Sequence, residues 1–401
     1  MPGKHMKPVP PVIRSREQLA AQGVSFVQEG GVRPTALPIT TDGVTYTMAQ
    51  ESAWLDAQHF AVGRWDGSLS VFAFNNSPTA GPVISKAVNT PAFEGVQMIT
   101  WLAPGVFVSS NDEASIIVWS SISRMWTDLA PIATLHYDPA LGVANSGDSI
   151  ALGGRIYLAV GHANGFISLW SGSPDGSGLE FYQKLDVRNP KPTNPWGLHN
   201  IRGISTMFTI GSAAYAVSGS EDGYITVFSF PNGEVLSQTV YNPAAQRGIN
   251  SVAAFGQNLL IANCSVGSND KNLWYYWIGG DDFSVTLKDS TNLQVNPSAP
   301  QVFNFCTVWG VLNDQAGFFA STEEGALWVG TVDSNQRLSV IGYQNVFGSL
   351  GSALAFNLNG NLVVINYNLY EFTTSPRLAD EMADQNPERL PFRLLPENMR
   401  L

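Results

Sequence analysis

A short polar turn followed five residues later by one fixed position recurs six times, and no other feature of the sequence constrains the fold as much. Asp66-Gly67 leads to Phe72, Glu113-Ala114 to Trp119, Asn164-Gly165 to Trp170, Asp222-Gly223 to Phe228, Asp270-Lys271 to Tyr276 and Glu324-Gly325 to Gly330. The turns lie 47, 51, 58, 48 and 54 residues apart. A seventh, degenerate copy runs NLVVINYNLYEF, with Tyr367 five residues before Phe372. Each turn is preceded by an apolar run closing in small residues, such as HFAVG, IYLAVG and AAYAVSG. An apolar run, a tight polar turn and then alternating apolar residues is the signature of a β-hairpin.

A further strand-like run lies upstream of each hairpin: VTYTMA, VQMITW, DSIAL, ISTMF, INSVAAF, FCTVWGV and SALAF. A fourth often follows: PVISKAV, EFYQKLDV, EVLSQTV, FSVTLKD and RLSVIGY. Four antiparallel strands recurring every 40 to 60 residues predict the blades of a β-propeller. The only helical pattern is a weak one near residues 16–22. The expected fold is therefore all-β, a seven-bladed propeller over residues 24–375. Residues 24–30 (VSFVQEG) supply the strand that closes the last blade and remove its open edge. Residues 1–23 form an N-terminal extension in which Gly3-Lys4-His5 reads as a tag remnant, and residues 376–401 form a surface tail. That tail is rich in charge, and Pro391 and Pro396 bar a regular helix through its apolar residues. It reads as a strap across the propeller or as a docking segment.

The fourth repeat, LHNIRGISTMFTIGSAAYAVSGSEDGYITVFSF, resembles the WD-repeat β-propeller family. His199, Ser218 and Asp222 fall where that family carries a structural network of His, Ser/Thr, Asp and Trp. Phe228 stands at the Trp position and has no indole N–H to donate. The resemblance implies that His199, Ser218 and Asp222 hold the blade together and are not an active site. It also implies a rigid platform whose loops recognise partners.

Composition and charge narrow the partners. The chain has 401 residues, a formal net charge of −11 and only 13% charged residues, which excludes a charge-rich disordered chain and a basic nucleic-acid binder. No apolar stretch reaches the ~20 residues of a membrane helix. Residues 1–20 lack the apolar core of a signal peptide, so a cytoplasmic location is expected, with neither nucleic acid nor membrane as partner. Cys264 and Cys306 are too few for a disulfide framework or a thiolate metal site. The five histidines, His5, His59, His136, His162 and His199, show no metal-binding spacing, and no cofactor motif is present.

Two features point to a binding surface. Several first strands are led by a residue and then Gly: Asp42-Gly43, Glu94-Gly95, Leu141-Gly142, Arg202-Gly203 and Arg247-Gly248, with Gln301 at the aligned position of the sixth repeat. These residues are expected to ring the channel mouth. Arg202 and Arg247 would sit side by side there and bind an anionic group, with Asp42 and Glu94 across the ring. The second feature is Trp196, in the Pro/Asn-rich loop NPKPTNPWGLHN, beside His199 and Arg202. Trp119, Trp170, Trp274, Trp277 and Trp328 lie within hairpin strands and are expected to fill gaps between blades. The leading functional reading is a non-catalytic platform for a protein, a peptide or a small anionic ligand. A lyase, hydrolase or cyclase with its site in the central funnel is the competing class, and a carbohydrate-binding lectin a third.

Overall fold

A computed structural model describes residues 49–74, 82–88, 95–111, 113–242, 248–266, 270–312, 315–345, 353–356, 361–365 and 369–373. They form antiparallel sheets in chain order, with one short 3₁₀ turn at Pro139–Leu141. The first sheet runs β1 (Ala49–Trp54), β2 (His59–Arg64), β3 (Ser68–Ala73) and β4 (Ile84–Ala87). The second runs β5 (Ile99–Ala103), β6 (Val106–Asn111), β7 (Ser115–Ser120) and β8 (Ala130–His136). The third has β9 (Ala144–Leu152), β10 (Arg155–His162), β11 (Phe166–Gly172) and β12 (Glu180–Asp186). β13 (Ile201–Ile210), β14 (Ala213–Ser220), β15 (Tyr224–Phe230) and β16 (Val235–Val240) make the fourth. The fifth comprises β17 (Ile249–Phe255), β18 (Asn258–Val266), β19 (Leu273–Ile278) and β20 (Val285–Thr291). The sixth has β21 (Gln301–Leu312), β22 (Gln315–Thr322), β23 (Ala326–Val332) and β24 (Leu338–Asn345). Three strands, β25 (Ala353–Phe356), β26 (Asn361–Ile365) and β27 (Leu369–Thr373), form the last sheet. The fifth and sixth sheets are joined where Cys264, Ser265 and Val266 pair with Phe303, Val302 and Gln301.

The hairpins follow the repeated turns, but two strand assignments shift. The first described strand is AQESAW rather than VTYTMA, of which only Ala49 is a described residue. The second sheet also has an outer strand, APIATLH, that the repeat pattern did not reveal. Its residues are mostly exposed, so no apolar alternation marks it. The closing segment 24–30 and the tail 376–401 lie outside the described residues.

Most of the core lies between two successive sheets. Val108, Ile116 and Val118 of the second sheet meet Leu158, Val160 and Trp170 of the third, and Ile167 and Leu169 meet Ile201, Phe228 and Phe230 of the fourth. A sheet buried on both faces needs apolar residues at successive positions, which is why HFAVG and SIIVW are continuous runs. The outer strands β8 and β12 face solvent along most of their length. Toward the axis the sheets converge, and glycine makes room. A Cβ on Gly161 would lie 2.5 Å from Ile201 Cγ2, and one on Gly219 would lie 2.3 Å from Val252 Cγ2. The small residues that end each apolar run are thus the points where the next sheet's first strand passes.

The predicted tryptophan packing is observed at four of the five positions; Trp277 is only half-buried. Trp119, Trp170, Trp274 and Trp328 are buried, and each indole N–H finds an acceptor: Ser109 Oγ, Ser168 Oγ, Asn263 Oδ1 and Thr322 Oγ1. The bulky ring fills the inter-sheet gap while its one donor is satisfied locally.

Candidate functional site

The first strands of the first six sheets line a common central cavity of about 510 Å³. Its shape follows from a recurring irregularity. A bulge separates Ala49 from Glu51, Ala144 from Ser146, Ile201 from Gly203, Ile249 from Ser251 and Asn304 from Cys306. Each bulge inserts one unpaired residue near the start of a first strand and re-aims the side chains beyond it. The residues just past the bulge, Glu51, Ser146, Gly203, Ser251 and Cys306, all line the cavity.

This register corrects the expected ring of residues before glycine. Arg202 is itself the bulged residue of β13, and its counterpart in β17 is Asn250, not Arg247. Arg247 precedes Ile249 by two residues, so the two arginines do not share one register position. Arg247, Asp42 and Glu94 lie outside the described residues. Leu141 is buried in the core between the second and third sheets. Gln301 opens β21, exposed at the rim.

Two carboxylates that the repeat spacing did not single out belong to the cavity wall. Glu51 Oε1 accepts from Ser52 N–H at 2.8 Å, and burial pushes the Glu51 carboxyl up to about 7. Asp148 accepts from Ser149 N–H, and its other oxygen takes Thr206 N–H at 2.6 Å and the Thr206 hydroxyl at 2.9 Å. Burial raises the Asp148 carboxyl, and the Thr206 bonds pull it back down. Asp148 therefore ties β9 to β13. Arg202, the cation on this wall, donates from Nε to Glu221 at 2.6 Å. The signal for Glu51 was the register: counting inward from the second strand's end places it on the channel, whereas spacing from Gly43 does not.

The rim above Arg202 is built by residues 187–200. Asn194 Oδ1 accepts from the N–H groups of Trp196 and Leu198, while its Nδ2 donates to the Leu198 and Glu221 carbonyls. Asp222, fully buried, accepts from Asn189 N–H at 2.9 Å, from His199 Nδ1 at 2.8 Å and from the Ser220 hydroxyl. The hydroxyl on Asp222 is thus that of Ser220, not of Ser218, which lies buried two residues earlier on β14. His199 thus links the loop to the hairpin turn through Asp222. Held this way, the loop leaves Trp196 61% and Leu198 44% exposed. Trp65, in the β2–β3 turn at the same rim, is 44% exposed.

Among the described residues no group of three or more His, Cys, Asp or Glu side chains is placed to hold a metal ion, and no helix is long and apolar enough to cross a membrane. No family's sequence model matches the chain, and no curated protein matches it in sequence. Many solved structures match it in shape. One is the crystal structure of the Myceliophteria thermophila Cps50 (Swd1) beta-propeller domain, with a TM-score of 0.59 and 10% sequence identity. That match covers 84% of this chain and 99% of the other. The fold is a β-propeller. At this identity the likeness is one of architecture, and the propeller's rim and channel must be read from this chain's own residues.

Proposed function

We propose that the seven sheets close into one ring and that its rim is an interaction platform for a protein or peptide partner. The ring is supported by β25, which packs against both β21 and β1, so that the last sheet adjoins the first. The platform reading rests on one observation: a loop fixed by Asn194 and Asp222 holds Trp196 and Leu198 out in solvent. Exposed large apolar side chains on an ordered loop lose little entropy when a partner covers them, and aromatic anchors dominate interface energetics. Arg202 lies beneath this loop with only Nε engaged among the described residues. Its amino groups would take an anionic group of the partner.

The test is cross-linking of the full chain in its native extract, identification of the partner by mass spectrometry, and titration of the purified pair. The Trp196→Ala, Leu198→Ala variant should keep the wild-type melting temperature and lose about tenfold or more in affinity. Wild-type affinity in the folded variant would remove the rim loop from the interface.

A further inference from the structure

Glu51 is the only charged residue in its layer of the channel among the described residues. The residues past the corresponding bulges, Ser146, Gly203, Ser251 and Cys306, are small and neutral. Their short side chains leave the space into which a longer carboxylate reaches. One oxygen of Glu51 accepts from its neighbour's N–H, and no other described group bonds the carboxylate. The remaining charges of the wall are accounted for otherwise. Arg202 is held by Glu221, and Asp148 is satisfied by Thr206 and Ser149.

A carboxylate withdrawn from bulk water without a counter-charge is costly. A cation bearing N–H donors would relieve that cost, because a carboxylate accepts. The rest of the wall suits what such a cation would be attached to. Trp54, Ile99, Val252, Val308 and Trp309 line the cavity, with indole surface for cation–π contact and aliphatic surface for a hydrocarbon stem. A net charge of −11 favours the approach of a cation over an anion.

We propose that the central channel is a binding site for an alkylammonium or alkylguanidinium group, with Glu51 as its counter-charge. The same chemistry is carried by a free aliphatic amine and by a Lys or Arg side chain. This site stands apart from the rim loop, and either can hold if the other fails.

The experiment titrates the full chain by calorimetry with butylammonium chloride, butylguanidinium chloride and, as an uncharged control of the same length, butan-1-ol. At least one of the cations should bind about tenfold or more tightly than the alcohol, and Glu51→Gln should abolish that difference. Equal binding of cations and alcohol by the wild type, or an unchanged preference in folded Glu51→Gln, excludes a free amine as the ligand. A second arm uses an otherwise uncharged, end-capped octapeptide with one central Lys or Arg. Glu51-dependent binding of the peptide identifies a partner's side chain as the source, whereas Glu51-dependent binding of the small cations alone identifies a free amine. Absence of Glu51-dependent binding in both arms rejects the site.

Discussion

His162 sits at the end of β10 with no solvent exposure, and its two ring nitrogens have unequal partners. Nδ1 lies 3.1 Å from the Gly142 carbonyl, which can only accept, so Nδ1 carries the proton. Nε2 then accepts from the Ser168 hydroxyl at 2.8 Å, and that hydroxyl accepts in turn from the Trp170 indole N–H at 2.9 Å. The chain of donors runs one way only while the imidazole is neutral. Burial holds His162 down to about 4, below the ordinary value of 6.5. The folded state therefore resists a proton that the unfolded chain accepts. His162 contributes its full stability above pH 6.5 and loses it progressively as the pH falls toward 4, about 3 kcal/mol in all. Urea unfolding of wild type and His162→Gln across pH 8 to 4 measures this. The variant should be the less stable at pH 8 and show a shallower decline below pH 6.5 than the wild type. Parallel declines would mean that His162 is not the titrating group.

At the level of strands, the glycines that end the second strands set how closely successive sheets approach. Gly161 has no positive φ, so replacing it raises only a steric question. Its added Cβ would meet Ile201 Cγ2 at 2.5 Å and Ser146 Oγ at 2.7 Å, both on neighbouring first strands. Gly161→Ala should cost about 1 to 3 kcal/mol by overpacking. Thermal unfolding checks it, and in an Ile201→Ala background, which lacks the clashing Cγ2, the added cost of Gly161→Ala should shrink. These glycines and the tight turns were legible in the sequence, because hairpin geometry ties turn, small residue and aromatic to fixed spacings. The channel was not. Loops of different lengths lead into the first strands, so counting from a loop glycine put Arg202 and Arg247 in one register that β13 and β17 do not share. A bulge adds one residue without leaving a composition signal, and Glu51 became visible only through its pairing with Gly63. The exchange of Ser218 for Ser220 on Asp222 has the same origin: both serines are buried on β14, and only geometry separates them.

Over the whole molecule, the proposed ring depends on its last sheet, in which three strands are described. If residues 24–30 complete that sheet, removing residues 1–30 should lower the melting temperature and expose an unpaired strand edge prone to self-association. Differential scanning calorimetry with light scattering reads both effects. Full-length behaviour of the truncated chain would assign closure to another segment. The pairing of Cys264–Val266 with Gln301–Phe303 has a different kind of consequence. Among the described residues the other neighbouring units meet chiefly through side chains and can part by sliding grease from grease. Here, and at no other junction among the described residues, a backbone ladder crosses the boundary, so the fifth and sixth units must unzip before they can separate. A chain pulled apart or permuted at any other junction keeps this pair intact, which makes it the natural two-unit fragment of the protein and the last place where new termini should be cut.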